Sequence, residues 1–145
     1  MSLTSTLAPV NNVLLLSRLG LALLAGAVIG WERESQNKPA GLRTNILVSF
    51  GSALFVLIPI QLGAAQDNPD FLGRVISAVI SGVGFIGAGT ILHSSRVRGL
   101  TSAAAIWVSA ALGITMACGL WVIGVIGMIV TWMVLSVLDR LESHL

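Results

Sequence analysis

The sequence predicts an all-α, polytopic membrane protein: a bundle of five transmembrane helices forming one domain over residues 1–145. Its mean hydropathy is +0.94 and only 10% of its residues are charged, whereas a soluble domain has about 25%. Long apolar runs also recur along the chain, with charged residues gathered between them. A surface so poor in charge would aggregate in water, so lipid is the expected solvent.

The predicted spans follow from the length of each apolar run, since crossing the hydrocarbon core takes about 20 residues. No charged residue occurs from 102 to 138, and one straight helix of that length would be about 55 Å long, against a core of about 30 Å. The chain is therefore expected to turn at Gly119, which permits a left-handed residue. The predicted spans are residues 13–31, 46–62, 75–92, 102–117 and 120–138.

Lysine and arginine near the span ends predict the orientation, because positive residues favour the cytoplasmic side. The second loop holds only Arg74, and no lysine or arginine precedes the first span. We therefore expect the N-terminus outside and the C-terminus in the cytoplasm. The other positive residues near span ends lie in the first loop, the third loop and the C-terminus: Arg33, Lys38, Arg43, Arg96, Arg98 and Arg140.

Composition and motifs also limit the function. The net charge is only +2, and no basic stripe is interleaved with aromatic residues, so nucleic acid is not an expected partner. Cys118 has no second cysteine to pair with, and His93 and His144 have no second ligand at metal spacing. No nucleophile motif, P-loop or His-Glu-x-x-His pattern occurs, so we expect no catalytic residues and no enzyme activity.

Two stripes of small residues predict close contacts between helices, because small side chains let backbones approach in lipid. Such stripes commonly serve only to let helices touch, but they would also seat a second copy. From these stripes and the small size of the chain we expect a homodimer. The stripes are Ala22, Gly26 and Gly30 in the first span and Ala105, Ser109, Gly113 and Ala117 in the fourth.

The third span is unusually rich in glycine. Gly82, Gly84, Gly87 and Gly89 fall within eight residues, which lowers helix propensity. Two interpretations follow. Either neighbouring backbones come very close, or the helix opens near its cytoplasmic end and exposes carbonyl groups, as at the ion and substrate sites of transporters.

Arg18 is a charged residue inside the first span. Intramembrane charges usually face the protein interior or a water cavity, although one near a span end also has the option of reaching the headgroups. No acid lies at membrane depth, so a buried partner would be a helix-end carbonyl, the side chain of Gln61, or an acid of the second loop, Asp67 or Asp70.

The segment GWERESQNKPAGLRTN, residues 30–45, holds five of the fourteen charged residues of the chain. One interpretation is a solvated loop with weak ion pairs. In the other, Glu32 or Glu34 pairs with Arg43, Arg96 or Arg98 and closes the cytoplasmic end of the bundle. Mg²⁺ prefers oxygen ligands, but these two acids alone are a weak metal signal.

Thr44 or Asn45 is expected to cap the second span, because Pro39, Ala40 and Gly41 break the chain before it. The candidate functional cluster therefore comprises Glu32, Arg33, Glu34, Lys38, Arg43, Thr44, Asn45, Arg98 and Thr101.

Three motifs resemble the MgtC/SapB family of bacterial inner-membrane proteins: residues 30–45, GVGFIGAGTIL at 82–92 and VRGLTSAAAIWVSAALG at 97–113. The resemblance runs from about Arg18 to the last span and implies five spans and a link to magnesium limitation. It implies either transport of Mg²⁺ or a small solute, or regulation of another membrane complex such as ATP synthase. Mg²⁺, as ligand or substrate, is the only cofactor it suggests.

Two features of this sequence depart from the family pattern. Asn45 stands where relatives often have histidine, and the sequence ends at Leu145, whereas virulence-type members continue into a soluble C-terminal domain. The family's motif residues that match are Glu32, Arg33, Glu34, Lys38, Pro39, Gly41, Leu42, Arg43, Thr44, Gly87, Gly89, Arg98, Gly99, Leu100, Thr101 and Trp107.

Overall fold

The computed structural model describes residues 7–93 and 97–142. A short hairpin of β1 (Leu92–His93) and β2 (Val97–Arg98), paired antiparallel, precedes the fifth helix. All the helices but α3 are long and apolar enough to cross a membrane, so the prediction of an all-α bundle with five spans is confirmed. The helices are α1 (Asn12–Ser35), α2 (Leu42–Gln61), α3 (Ala64–Asp67), α4 (Pro69–Ala88), α5 (Leu100–Ala117) and α6 (Trp121–Glu142).

The bounds of the third span differ from the predicted 75–92. Helix α4 begins at Pro69, and the side chain of Asn68 caps it by accepting a hydrogen bond from the Asp70 amide at 3.1 Å. The helix ends at Ala88. Hydropathy missed the first turns because they hold Asp70 and Arg74, and it ran past the end because the residues before the hairpin are also apolar.

At the centre of the bundle, α1, α2 and α5 pack with their backbones in contact. A Cβ atom added at Gly26 or Gly30 of α1 would lie 2.6 or 2.7 Å from the nearest backbone atom of α2, and one at Gly113 of α5 would lie 2.0 Å from the Ser49 carbonyl oxygen. The Ser49 hydroxyl also donates to the Ala22 carbonyl oxygen of α1 at 2.7 Å. Both predicted small-residue stripes are therefore used inside the chain.

The glycine-rich span is neither broken nor tightly packed at its first two glycines. Helix α4 is continuous from Pro69 to Ala88, and a Cβ atom added at Gly82 or Gly84 would meet nothing within 4 Å. A Cβ atom at Gly87 would make ordinary contact with Ala103 of α5 at 3.5 Å. Both interpretations of this span are therefore wrong at Gly82 and Gly84, because α4 rests on α5 through a different face.

Helices α4 and α6 lie at the periphery and are the least buried of the five spans. Helix α4 packs mainly on α5 and only lightly on α2. A groove of about 650 Å³ separates α2 and α4, and its lining is apolar except for Ser52. The side of the bundle at α4 is therefore open.

The tight turn predicted between the last two spans is present. Gly119 has φ +72°, and its amide donates to the Met116 carbonyl while that of Leu120 donates to the Thr115 carbonyl, both at 3.0 Å. These two bonds form a Schellman motif, which ends a helix with glycine in the left-handed region. The turn returns the chain into α6, which packs against α1 and α5.

Candidate functional site

One end of the bundle, formed by residues 32–45 together with residues 98–102, contains most of the predicted cluster and is called the charged end below. Helix α1 continues to Ser35, so Glu32, Arg33 and Glu34 lie on its last turns. Glu32 and Arg33 are 4% and 3% exposed, and Asn45 is fully buried. Three polar side chains of the predicted cluster are thus enclosed where α1, α2 and α5 meet.

The two buried charged residues have defined partners. The Arg33 guanidinium donates through Nη2 to the Ser102 hydroxyl of α5 at 2.9 Å. A carboxylate oxygen of Glu32 accepts a hydrogen bond from the side-chain amide of Gln36. Arg33 therefore links the end of α1 to the start of α5, as a buried charge needs hydrogen-bonded partners to offset its lost hydration.

Asn45 joins the loop to two helices. Its Nδ2 donates to the carbonyl oxygens of Ala40 and Gly41, at 2.6 and 2.9 Å. Its Oδ1 accepts from the Ser109 hydroxyl of α5 at 2.8 Å. The amide thus uses both of its ends, since a side-chain amide offers two donor hydrogens and one acceptor oxygen.

The cap of α2 differs from the prediction. The helix begins at Leu42, so Thr44 and Asn45 lie inside its first turn and cannot act as its N-cap. Glu34 takes this role from outside the helix, because its Oε2 accepts a hydrogen bond from the Leu42 amide at 2.9 Å. A Cβ atom at Gly41 would collide with that carboxylate, which explains the glycine.

The remaining members of the predicted cluster lie at the surface. Arg43, Arg98 and Thr101 are exposed, and Lys38 and Thr44 are half-buried. The Lys38 backbone amide donates to the Arg33 carbonyl at 3.0 Å, just after α1 ends. Arg96, a proposed partner of the two acids, lies outside the described residues.

The structure does not bring the two metal candidates together. Glu32 is buried and hydrogen-bonded to Gln36, whereas Glu34 is exposed and hydrogen-bonded to the start of α2. Among residues 7–93 and 97–142, no group of three or more His, Cys, Asp or Glu is placed to hold a metal ion. The Arg33 guanidinium, permanently positive, further opposes a cation at this end.

Arg18 lies near the opposite end of α1 and is buried, with 3% of its surface exposed. Its Nη1 donates to the Ala117 carbonyl oxygen at the end of α5, at 2.8 Å, and its guanidinium lies against Gly119. Of the predicted alternatives, the structure shows the helix-end carbonyl. Gln61 is engaged elsewhere, with both the amide and the carbonyl of Val10.

The predicted cluster lacks the polar partners of these residues. Gln36, Ser102 and Ser109 are not among its members, and Ser109 is predicted only as a small residue of a packing stripe. A signal was present, since Ser102 and Ser109 are seven residues apart and therefore share one face of α5. Serine hydroxyl groups on a buried face of a span are commonly used for hydrogen bonds to a neighbouring helix.

The fold and this site define a multi-pass helical membrane protein whose polar groups are enclosed among three central helices. The comparison with family models then gives the assignment. The MgtC family model matches residues 19–144, so the chain belongs to the MgtC family. Together with the five apolar helices, this places the protein in the bacterial inner membrane.

Three relatives illustrate the similarity. Protein SrpB of Synechococcus elongatus is 48% identical over 139 residues, covering 86% of this chain and 75% of SrpB. YhiD of Escherichia coli K12 is 42% identical over 133 residues, and MgtC of Salmonella typhimurium is 45% identical over 92. The matches cover 88% and 63% of this chain but only 62% of YhiD and 38% of MgtC. No solved structure matches the chain.

Proposed function

We propose that this protein acts in magnesium homeostasis as a membrane regulator, which works by contact with another membrane protein rather than by carrying Mg²⁺. The magnesium link is supported by membership of the MgtC family and by the name of its relative YhiD, "Putative magnesium transporter". The choice of regulator over carrier is carried by one observation, the packing of the three central helices.

The central helices leave no room for a solute between them. Added Cβ atoms at Gly26, Gly30 and Gly113 would lie within 3 Å of a neighbouring backbone. Mg²⁺ gives up its hydration water reluctantly and usually keeps several water molecules. A hydrated ion cannot pass where even a methyl group does not fit, so the helices that enclose the polar cluster do not form its path.

The polar cluster itself is also a poor ion site. The buried guanidinium of Arg33 offsets the charge of the buried Glu32 carboxylate, so these two groups leave no net negative charge to attract a divalent cation. Asn45, Ser102 and Ser109 use their polar groups to hold the helices and the loop together. The cluster is therefore best suited to fixing the shape of the charged end.

A regulator acts through its exposed membrane faces, and this chain has a large one on α6. Val122, Ile126 and Val130 are 72%, 56% and 48% exposed and belong to one apolar face. Exposed apolar faces suit either lipid or the helix of another membrane protein, since packing between transmembrane helices depends on shape and not on a hydrophobic drive.

A carrier function is the second candidate. It is favoured by the buried carboxylate of Glu32 at the charged end and by the name of YhiD. Because the centre of one protomer is closed to a hydrated ion, such a carrier would need a route between protomers.

The two functions are separated by reconstituting the purified full chain in liposomes that enclose a Mg²⁺-sensitive dye. With an inward Mg²⁺ gradient, we expect the dye signal to rise no faster than in protein-free liposomes, while an added Mg²⁺ ionophore gives the full signal. Flux above that of protein-free liposomes that is lost in Glu32→Gln would overturn the proposal in favour of the carrier.

A second measurement tests the contact directly. A photoreactive amino acid at Ile126 of α6 should give, in native membranes under magnesium limitation, an adduct with a distinct membrane protein. The same photoreactive residue at Val125, which is 42% exposed and turned by about 100° around α6 from Ile126, shows whether the contact belongs to one face. Adducts with lipid and with the chain itself alone would count against a regulator.

A further inference from the structure

The outer face of α4 carries two charged and two hydroxyl side chains although α4 is one of the five spans. Six of its residues are separated by four and three positions in turn, and this spacing places them on one helix face. All six are exposed, whereas the buried residues Leu72, Val83 and Gly87 lie on the opposite face. This face, the outer stripe, consists of Asp70, Arg74, Ser77, Ser81, Gly84 and Ala88.

The outer stripe differs in composition from the exposed face of α6, although the exposed Phe85 borders it. The exposed face of α6 presents large apolar side chains such as Val122, Ile123 and Ile126. The outer stripe instead presents two hydroxyl groups at mid-helix, followed by Gly84 and Ala88. Small residues and hydroxyl groups are the features that let one transmembrane helix approach and bond to another.

The charges at one end of the stripe indicate which helix covers it. Asp70 and Arg74 are opposite in sign, one turn apart, and at the same end of α4. Copies of one membrane protein insert in the same orientation, so a two-fold axis along the membrane normal brings residues of equal depth together. Arg74 differs in depth from Asp70 by one turn, about 6 Å, which the long arginine side chain spans. Arg74 of each copy therefore reaches Asp70 of the other, and the face is complementary to itself.

We infer that two copies of this chain associate through the outer stripes of their α4 helices, with reciprocal Asp70–Arg74 pairs at one end and close contact at Gly84 and Ala88 at the other. The stripes of α1 and α5 do not compete for this role, because Gly26, Gly30 and Gly113 already face α2 within the chain. The inference is independent of whether the protein regulates or carries.

Cysteine cross-linking in native membranes tests the contact, in a full chain whose Cys118 is first changed to alanine. Ser77→Cys and Ser81→Cys should form disulfide-linked dimers in high yield under mild oxidation. Ala78→Cys and Gly82→Cys are matched controls, because each is exposed, lies at nearly the same depth and is turned by about 100°. Their dimer yield should be several-fold lower.

Two outcomes overturn the inference. Equal yields at all four positions would indicate random collision, and higher yields at Ala78 and Gly82 would place the second copy in the groove between α2 and α4. The controls are expected to fold, since an added Cβ atom at Gly82 meets nothing within 4 Å.

The charge pairing has its own test. Asp70→Arg and Arg74→Asp are introduced into separate copies with different affinity tags, and the two copies are expressed together. The yield of mixed dimers should be about tenfold higher than the average yield of the two dimers of identical variants, since two ion pairs replace like-charge contacts. The exchange of both residues within one chain should restore its homodimer. Equal recovery of mixed and like pairs would contradict the pairing.

Discussion

Two buried arginines fix α1 against α5 at opposite ends. Arg18 donates to the Ala117 carbonyl at the C-terminal end of α5, and Arg33 donates to Ser102 in its first turn. A guanidinium at a helix C-terminus is favourable, because it bonds a carbonyl left without an intrahelical partner and meets the negative end of the helix dipole. The two contacts therefore set the register of α1 on α5 along nearly their whole length.

Asn45 should contribute more to stability than any other neutral polar residue at the charged end. Asn45→Ala removes three hydrogen bonds, two to the loop carbonyls and one from Ser109. At about 1 kcal/mol for each bond, we expect the free energy of unfolding to fall by about 3 kcal/mol. The measurement is unfolding of the detergent-solubilised protein by a denaturing detergent.

The control for this prediction is Ser109→Ala, which removes one of the three bonds and should cost about 1 kcal/mol. Because the two residues share that bond, the double variant should be less destabilised than the sum of the single variants. Strict additivity would show that the hydrogen bond between Asn45 and Ser109 contributes nothing to stability.

At the scale of the helices, Gly113 of α5 and Gly82 of α4 differ in their surroundings, because Gly113 is packed against α2 whereas Gly82 faces open space. Gly113→Ala places a methyl group 2.0 Å from the Ser49 carbonyl oxygen, so α2 and α5 must separate. We expect a loss of about 1–3 kcal/mol in the free energy of unfolding. Gly82→Ala has open space around it and should leave stability unchanged or raise it by up to about 1 kcal/mol, since alanine favours the helix.

The same unfolding measurement compares the two variants. Equal destabilisation would mean that both glycines are packed against a neighbour in the membrane. Destabilisation by Gly82→Ala alone would contradict the packing of α5 on α2 described here.

The number of spans was predictable because it depends only on the length of each apolar run and on the thickness of the bilayer. The position of the last turn was also predictable, because Gly119 by itself permits the left-handed backbone that ends a helix. The start of α4 was not found, since the capping role of Asn68 outweighs the charges of Asp70 and Arg74 in the first turns. The partner of each small-residue stripe was also not predictable, because a stripe shows that something packs closely but not which helix does.

The candidate site was predictable in its location but not in its connections. The density of charge in residues 30–45 pointed to the charged end, and Glu32, Arg33 and Asn45 are indeed buried there. Ser102, the partner of Arg33, and Ser109, the partner of Asn45, lie 69 and 64 residues further along the chain. A contact of that separation depends on how α5 is placed between α1 and α2, which no local pattern determines.

At the scale of the whole molecule, the bundle divides into a rigid centre and an exposed periphery. Helices α1, α2 and α5 share the glycine contacts and the polar cluster, whereas α4 and α6 are the least buried spans. The central helices are packed too closely to form an ion path that opens and closes. The exposed helices at the periphery present two unlike faces, one of large apolar side chains on α6 and one of charged, hydroxyl and small side chains on α4.

The orientation of the bundle in the membrane is the remaining whole-molecule prediction. Arg33, Lys38 and Arg43 surround the α1–α2 loop, and positive residues are retained on the cytoplasmic side. In a chain with Cys118 changed to alanine, Pro39→Cys at the charged end and Gln66→Cys at the other end introduce exposed thiols without altering a charge. A membrane-impermeant maleimide should label Gln66→Cys in intact spheroplasts and Pro39→Cys only after lysis. Labelling of Pro39→Cys alone before lysis would invert the bundle and would place Glu34 and its cap of α2 on the outer surface.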